Sequence, residues 1–557
     1  MTRITGRRAF LQLLADEGVT HLFGNPGTTE LAIMEVVPDF PQLKFVLGLQ
    51  ESAVMAMADG FCRASGRLAA ANVHVMPGLG NAMGALYNAK FSGSPVILTA
   101  GQQEQGHGLL EPLLYEPLVP VAQPLVKWAV EATRAADLPR ILHRAAKIAL
   151  TPPTGPVFLS LPGDVLDEEV DVDMGRPVRL HTETQPSSEA LKKISDLLLA
   201  AKRPVIIAGQ ELAQRDAFAE AAELAELLGA AVYQSSVPYS AQFPTAHPAF
   251  MGALTRQQKQ VRGALEPHDL LLCLGADLLR MSVYSPLEPL PGNLPVIHIS
   301  ERAHELGKNY RTDLAIQADV KATLLSLLPL LRQRADRALA AGRLSELKGK
   351  NWTAQRDKAR VDAMMAAETS PIDPLYLMLR FTESLPRDAV VVDEGLVSTY
   401  SLPKFLPLAG PKDYYGLASG GLGFAVPGAV GISMALPGRP IAVMVGDGSA
   451  MYGIQGLWTA AHERLPITYI VANNRGYRII KERLVAFRKT DRFTGMDLRD
   501  PDIDFVSLAA SFGLSARRVT DPQDIAPALR EGFASGKPNL IDIRVADGFE
   551  KSGTGTH

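Results

Sequence analysis

VGDGSAMYGIQGLWTAAHERLPITYIVANNRGY, residues 445–477, decides how this chain is read. It starts inside an apolar run, PIAVMVGDG, that reads as a buried strand closing in a tight Gly446-Asp447-Gly448 turn. A second apolar run, ITYIVANN, ends in Asn473-Asn474. Ligands of open α/β sheets sit outside the carboxyl ends of the strands, so Asp447 and Asn474 are presented where a ligand would lie. SAMYGIQGLWTAAHER, between the two runs, has helical character, and its N-terminus would direct backbone N–H groups at an anion such as a phosphate. One carboxylate, one amide oxygen, a backbone carbonyl and phosphate oxygens make an oxygen-only set. Such a set suits Mg2+ or Ca2+, and a phosphate partner favours Mg2+. Singly, Gly-Asp-Gly and Asn-Asn are ordinary turn chemistry. Together, with 24 residues between GDG and NN, they form a pattern.

Short apolar runs alternate with helical patterns on both sides of this stretch. HLFGNPG, FVLGL, AAANVHV, PVILTAG and PVFLSLP read as strands between residues 21 and 162. PVIIAG, AAVYQSS, LLLCLGA and PVIHIS form a second set, and AVVVDEG, DYYGLAS, PIAVMVGDG, ITYIVANN and NLIDIRV a third. That alternation predicts an α/β fold of three doubly wound parallel-sheet domains. The expected divisions are 1–180, 188–335 and 365–547, with a charged, Ala-rich linker helix at 336–364 and a frayed polar tail at 548–557. A length of 557 residues agrees with about three domains.

Apolar content of 47% and charged content of 21% are those of a globular protein with ample core. A net charge of -3 predicts no nucleic-acid partner and no membrane-surface patch. No run of about 18 apolar residues exists, so no transmembrane helix is expected. The leading MTRITGRRAFLQLLADEGV reads as an amphipathic helix, with Thr5 as its cap, rather than a signal peptide. Cys62 and Cys273 match no metal spacing and suggest core positions in a reducing, cytoplasmic compartment.

The 446–474 pattern resembles the thiamine diphosphate-binding motif, which opens on GDG and closes on NN after a spacer of this length. FGNPGTTE, LQESAV, ADGF, GNAMGAL, TAGQQ, PLVKW, GGLGFA, GDGSA and LWTAA extend the resemblance over nearly the whole chain, towards the benzoylformate decarboxylases within the group that holds pyruvate decarboxylase and acetolactate synthase. The resemblance implies pyrimidine-binding, central and diphosphate-binding domains in that order, and a homotetramer whose active sites are each shared between two subunits. It implies Mg2+ (with Ca2+ as substitute) and non-oxidative decarboxylation of an aromatic or bulky 2-oxo acid to an aldehyde and CO2, with some carboligation. Glu51 would hold a proton against the aminopyrimidine ring. Gly420 would offer it a carbonyl, and Leu422 would wedge between the two rings. Gly446, Gly448, Ser449, Ala450, Asn474 and Tyr477 would line the diphosphate, and Asp447, Asn474 and the Gly476 carbonyl would hold the metal. Thr28 and His74 would orient the substrate and move its protons, for which a side chain titrating near neutrality is suited.

The chain also departs from that family's pattern. A second active-site histidine has no counterpart in DLLRMSVYSPLE, where Met281 or Ser282 stands; His107 is a candidate substitute. Ile479 and Ile480 keep the pocket apolar, but Arg483 falls where an aromatic residue would line it, with Lys481 nearby. The two cations read either as an exposed helix face or as ligands for a substrate anion. Rival readings are an acetolactate synthase-like carboligase, a 2-hydroxyacyl-CoA lyase or oxalyl-CoA decarboxylase-like enzyme, and a silent cofactor-binding homologue. GLGNAMGAL is set aside as a dinucleotide fingerprint, because its glycine spacing is wrong and no ribose-binding acid follows.

Overall fold

The computed structural model describes residues 2–549 except Val283. Most of the tail expected to fray, residues 550–557, lies outside the described residues. Gly548 and Phe549 are held: the Phe549 N–H donates to Asp547 (2.8 Å), and its ring packs 5.0 Å from that of Phe493.

A two-stranded antiparallel ribbon joins β1 (Thr2–Thr5) to β8 (Glu169–Val172). Between them lies a six-stranded parallel sheet of β2 (His21–Gly24), β3 (Lys44–Leu47), β4 (Ala69–Val73), β5 (Val96–Gln102), β6 (Ala129–Glu131) and β7 (Val157–Pro162), ordered β3-β2-β4-β5-β7-β6. The central sheet holds β9 (Pro204–Ala208), β10 (Ala231–Gln234), β11 (Phe250–Ala253), β12 (Leu270–Leu274), β13 (Val296–Ser300) and β14 (Leu314–Gln317), ordered β11-β10-β9-β12-β13-β14. The third takes β15 (Val390–Glu394), β16 (Tyr414–Gly416), β17 (Ile441–Gly446), β18 (Ile467–Asn473), β19 (Ser515–Val519) and β20 (Asn539–Arg544), ordered β16-β15-β17-β18-β20-β19. Counted within each sheet, the first and third share the order 2-1-3-4-6-5, while the central one runs 3-2-1-4-5-6. Helices cover both faces, so inner strands such as PVIIA and LLLCL are buried at every position.

Two topologically equivalent helices join the first and third sheets. Glu51–Ser65 follows β3, and Ala425–Ala435 follows β16. They approach so closely that a Cβ on Gly60 would overlap the Gly428 carbonyl, and one on Gly431 the Met57 carbonyl. Twelve of the 15 residues of the Glu51 helix are buried, which makes it core rather than surface.

Several local expectations are corrected. Residues 2–5 are a strand, and Thr5 precedes the helix Gly6–Asp16 without capping it: its hydroxyl has no partner. The stretch 336–364 is two helices, Arg337–Leu347 and Trp352–Met364, each capped by its own polar residue, Asp336 and Asn351. Nor is it wholly solvated: Trp352 is buried and donates to the Pro403 carbonyl (2.8 Å). SAMYGIQGLWTAAHER is not one helix but Asp447–Ala450 and Gly456–His462, since Gly453 and Gly456 press against Pro427. Cys62 and Cys273 are buried and free, as expected.

Candidate active site

An order of 2-1-3-4 leaves a crevice between the first and third of those strands, at their carboxyl ends. In the first sheet this is the gap beyond β2 and β4. Asn25 follows β2, His74 follows β4, and Glu51 opens the helix after β3. Gln50 caps that helix, accepting from the Ser52 N–H (2.6 Å) and the Ala53 N–H (3.2 Å). The Glu51 carboxylate accepts from Asn25 Nδ2 at one oxygen (3.0 Å) and Asn81 Nδ2 at the other (2.9 Å). Two amides therefore fix its plane.

His74 is gripped on one nitrogen. Its Nδ1 lies 2.9 Å from Glu30 Oε2 and 3.0 Å from Thr29 Oγ1. Glu30 is fully buried and also accepts from Thr29 Oγ1 (2.9 Å), the Gly27 N–H (2.8 Å) and the Gly101 N–H (2.9 Å). A carboxylate accepts only, so the network assigns the proton to Nδ1 and leaves the Nε2 lone pair free.

In the third sheet the matching gap lies beyond β15 and β17, and Asp447 stands there, buried. Its oxygens accept from the Gly448 N–H (2.9 Å) and the Gly476 N–H (3.1 Å), and no cationic side chain pairs with it among the described residues. Burial pushes its carboxyl up to about 6. The two asparagines divide their work. Asn474 Oδ1 accepts the Gly476 N–H (3.1 Å) beside Asp447. Asn473 turns into the sheet and donates to Asp542 (2.8 Å), which Arg518 pairs from its other side (2.8 Å). The Tyr477 ring covers Gly448; Ser449 and Ala450 are buried in the single helical turn after it. A buried carboxylate without a counter-charge, next to an amide oxygen that shares the Gly476 N–H with it, fits a hard divalent cation.

Leu422 and Gly420 sit on the segment between β16 and the Ala425 helix, with Gly420 at φ +88°. Glu394, at the end of β15, accepts from the Gly423 N–H (2.6 Å) and the Ala425 N–H (2.6 Å). Burial raises this carboxyl to about 7 against those two donors. Backbone strain marks both gaps: Val75 (φ +34°), Leu396 (φ +51°) and Arg475 (φ +57°) each lie two residues beyond a strand, at β4, β15 and β18. Left-handed conformations of such side chains persist only where surroundings impose them.

Other expected site residues fall differently. Thr28 begins a single 3-10 turn and is exposed; the hydroxyl against His74 is that of Thr29. Lys481 is neither an exposed face nor a free anion ligand. It is 2% exposed, donates to Asp497 (2.6 Å) and lies 3.7 Å from Asp547. Arg483 lies over Phe487 of its own helix, Arg478–Arg488, at 6.0 Å from the ring centre. Ile479 is half-buried and Ile480 exposed at the start of that helix; Met281 is half-buried; Ser282 is exposed in a bend after β12. His107 is exposed on a 3-10 segment, with no contact to His74 among the described residues. Asn25, Thr29, Glu30, Asn81 and Glu394 are site residues that motif reading missed. Asn25, Thr29 and Glu30 stand inside FGNPGTTE, so proximity to the motif was their one available signal.

Models of thiamine pyrophosphate (diphosphate) enzymes match the chain in order: the N-terminal TPP binding domain at residues 4–111, the central domain at 191–327 and the C-terminal TPP binding domain at 398–543. Fold and crevices thus define a thiamine diphosphate enzyme. Benzoylformate decarboxylase of Pseudomonas aeruginosa is 32% identical over 543 residues, 97% of this chain and 98% of its own. The chain belongs to the thiamine diphosphate-dependent decarboxylase family. The structure of a 4-hydroxybenzoylformate decarboxylase from Rhodococcus jostii matches with a TM-score of 0.85 at 31% identity, over 98% of this chain and 99% of the other. That of benzoylformate decarboxylase from Polynucleobacter necessarius gives 0.87 at 28% identity, over 98% and 99%.

Proposed function

We propose that this enzyme decarboxylates an aromatic or bulky 2-oxo acid to the aldehyde, with carboligation as a minor outcome. The observation that carries this reading is the Glu51 carboxylate, fixed at both oxygens by amides at the mouth of one crevice. When bound, thiamine diphosphate supplies a thiazolium that accepts the electron pair left as CO2 departs. Glu51 holds a proton at the aminopyrimidine nitrogen. The Gly420 carbonyl would take the ring's amino group, and Leu422 would pack against the cofactor's rings. Asp447, Asn474 Oδ1 and the Gly476 carbonyl would hold Mg2+, or Ca2+ in its place, while Gly446, Gly448, Ser449, Ala450 and Tyr477 would line the diphosphate. Thr28 would orient the substrate carboxylate from its exposed position, and His74 Nε2 would take and return the substrate's protons, its ring held at Nδ1 by Glu30. Ile479 and Ile480 form the apolar wall. The coenzyme A reading loses a support, because Lys481 is committed to Asp497.

The two crevices serve one reaction only if a second copy brings them together. No hydrogen bond or ion pair joins the Glu51 and Asp447 clusters within the chain among the described residues. Leu109 (92% exposed) and Leu113 (85%), in the segment after β5, and Ile480 and Phe487, on the helix after β18, are large apolar side chains left uncovered. Mutual covering by two copies favours a dimer with shared sites, paired into a tetramer, in a reducing cytoplasm where both thiols stay free.

A panel of benzoylformate, pyruvate, branched 2-oxo acids and oxalyl-CoA, read by CO2 release with thiamine diphosphate and Mg2+, tests the reading. Benzoylformate or another bulky oxo acid is expected to give the highest kcat/KM. A preference for oxalyl-CoA, or acetolactate formed from pyruvate as main product, would overturn it.

A further inference from the structure

We propose that Asn88, backed by Asp59, is a positioning residue that fixes the segment carrying Gly420 and Leu422. The inference rests on the roles proposed above for those two residues. A backbone carbonyl and a side chain offered to a ligand must be held to a fraction of an ångström. Glu394 secures the exit of the segment, through Gly423 and Ala425. Its entry depends on one amide oxygen. Asn88 Oδ1 accepts from the Ala418 N–H (3.1 Å), the Ser419 N–H (3.1 Å) and Ser419 Oγ (3.1 Å). Ser419 Oγ in turn accepts the Gly421 N–H (3.1 Å), carrying the hold to the residue between Gly420 and Leu422.

Asp59 decides which way Asn88 faces. Asn88 Nδ2 donates to Asp59 Oδ2 (2.8 Å), and the other oxygen of Asp59 accepts from Ser92 Oγ (2.7 Å) and Ser94 Oγ. Asp59 is fully buried and can only accept, so the amide nitrogen must face it and the amide oxygen must face the segment. The hydrogen bonds of the carboxylate reach the Gly420 segment through Asn88.

Gluing the two domains together would be a merely structural role. That work is done by the Gly60, Gly428 and Gly431 contacts between the two long helices, which Asn88 does not touch. A small cavity lined by Asp59, Asn88, Gly421 and Leu422, with Ser52 and Ala85, adjoins the segment. Cutting the Asn88 bonds leaves the glycine contacts between the helices in place.

The test uses the full-length enzyme with thiamine diphosphate and Mg2+. Three quantities are read: amide exchange at Ala418, Ser419 and Gly421 without cofactor, cofactor affinity by calorimetry, and the exchange rate of the thiazolium C2 proton on the bound cofactor. Asn88→Ala is expected to speed amide exchange at 418–421 about tenfold or more, as loss of one good hydrogen bond predicts. It should slow C2 exchange by about the same factor with the melting temperature unchanged. Asn88→Asp sets two carboxylates against each other and should reproduce the defect. Asn88→Asp with Asp59→Asn exchanges donor and acceptor and should restore both rates. Should Asn88→Ala fail to fold, Ser419→Ala, which leaves Asn88 and Asp59 paired and cuts the hydroxyl relay, is read at the Gly421 amide and at C2. Wild-type C2 exchange in the Ala variants, or no rescue by the double exchange, overturns the inference. Failure of the wild-type protein to bind the cofactor, or unchanged C2 exchange in Glu51→Ala, overturns the underlying reading instead.

Discussion

Glu51 and Asp447 show how much one carboxylate owes to its neighbours. Glu51 is clamped by Asn25 and Asn81, all three from the first sheet and its helices, so truncating it leaves the core untouched. Glu51→Ala should retain its circular dichroism and melting temperature and lose about 10²–10⁴-fold in CO2 release, the usual range for a positioned proton-transfer group. Asp447 makes a pH prediction. Its folded carboxyl is raised to about 6 by burial, and in the proposed metal site it would have to be ionised. Protons and Mg2+ therefore compete: Mg2+-dependent cofactor affinity should be flat above that value and fall about tenfold per pH unit below it. Calorimetry between pH 5 and pH 8 on Asp447 and its Ala variant measures this; an unchanged affinity in the variant would remove Asp447 from the metal site. Asp447 and Asn474 were legible from sequence, because their partners lie within 29 residues and share one motif. Glu30 was not. Its partners Gly101 and His74 stand 71 and 44 residues away, and only folding shows that a carboxylate two residues past Thr28 turns inward. Lys481 misled for a different reason: Asp497 is only 16 residues away, but it lies outside any helix or strand, so no periodicity announced the pair.

At the scale of elements, the inner strands of the three sheets all announced themselves, whereas of the edge strands only β3 and β16 did. PIAVM and LLLCL are apolar throughout because helices cover both faces. Ala129–Glu131, Leu314–Gln317 and Ser515–Val519 lie at sheet edges, bury less and carry polar residues, and so were absent from the expected strands. The contact between the Glu51 and Ala425 helices was equally silent, since glycine inside a helix reads as weakness rather than as an interface. There it makes a prediction whose sign is informative. On an open helix Gly→Ala stabilises by about 1 kcal/mol. Gly431→Ala should instead destabilise by about 1–3 kcal/mol, the cost of overpacking against a main-chain carbonyl that cannot turn aside. Denaturant unfolding of the two proteins compares them directly, and a more stable variant would show that the helices can separate without cost.

For the whole molecule, the three α/β units could be read from the alternation of strand and helix patterns, whereas the strand orders could not, because neighbours in a sheet are set by packing rather than by sequence order. The matching 2-1-3-4-6-5 sheets place Glu51 and Asp447 beside equivalent crevices, which a second copy would close against each other. Substituting Leu109 and Leu113 by Ser should therefore weaken assembly and activity together. Sedimentation velocity and CO2 release on the same samples should show both falling on dilution, and a fully active monomer would refute shared sites.

The buried Glu51 helix also has a consequence in time. The helix that covers it begins at Ala425, about 360 residues further along the chain. At elongation rates of about 5–20 residues per second, the apolar flank of the first domain waits roughly 20–70 s on the ribosome before its cover exists. A nascent chain stopped short of Ala425 should expose that flank to holdase chaperones, which makes shelter during synthesis a requirement imposed by the order in which the domains are encoded.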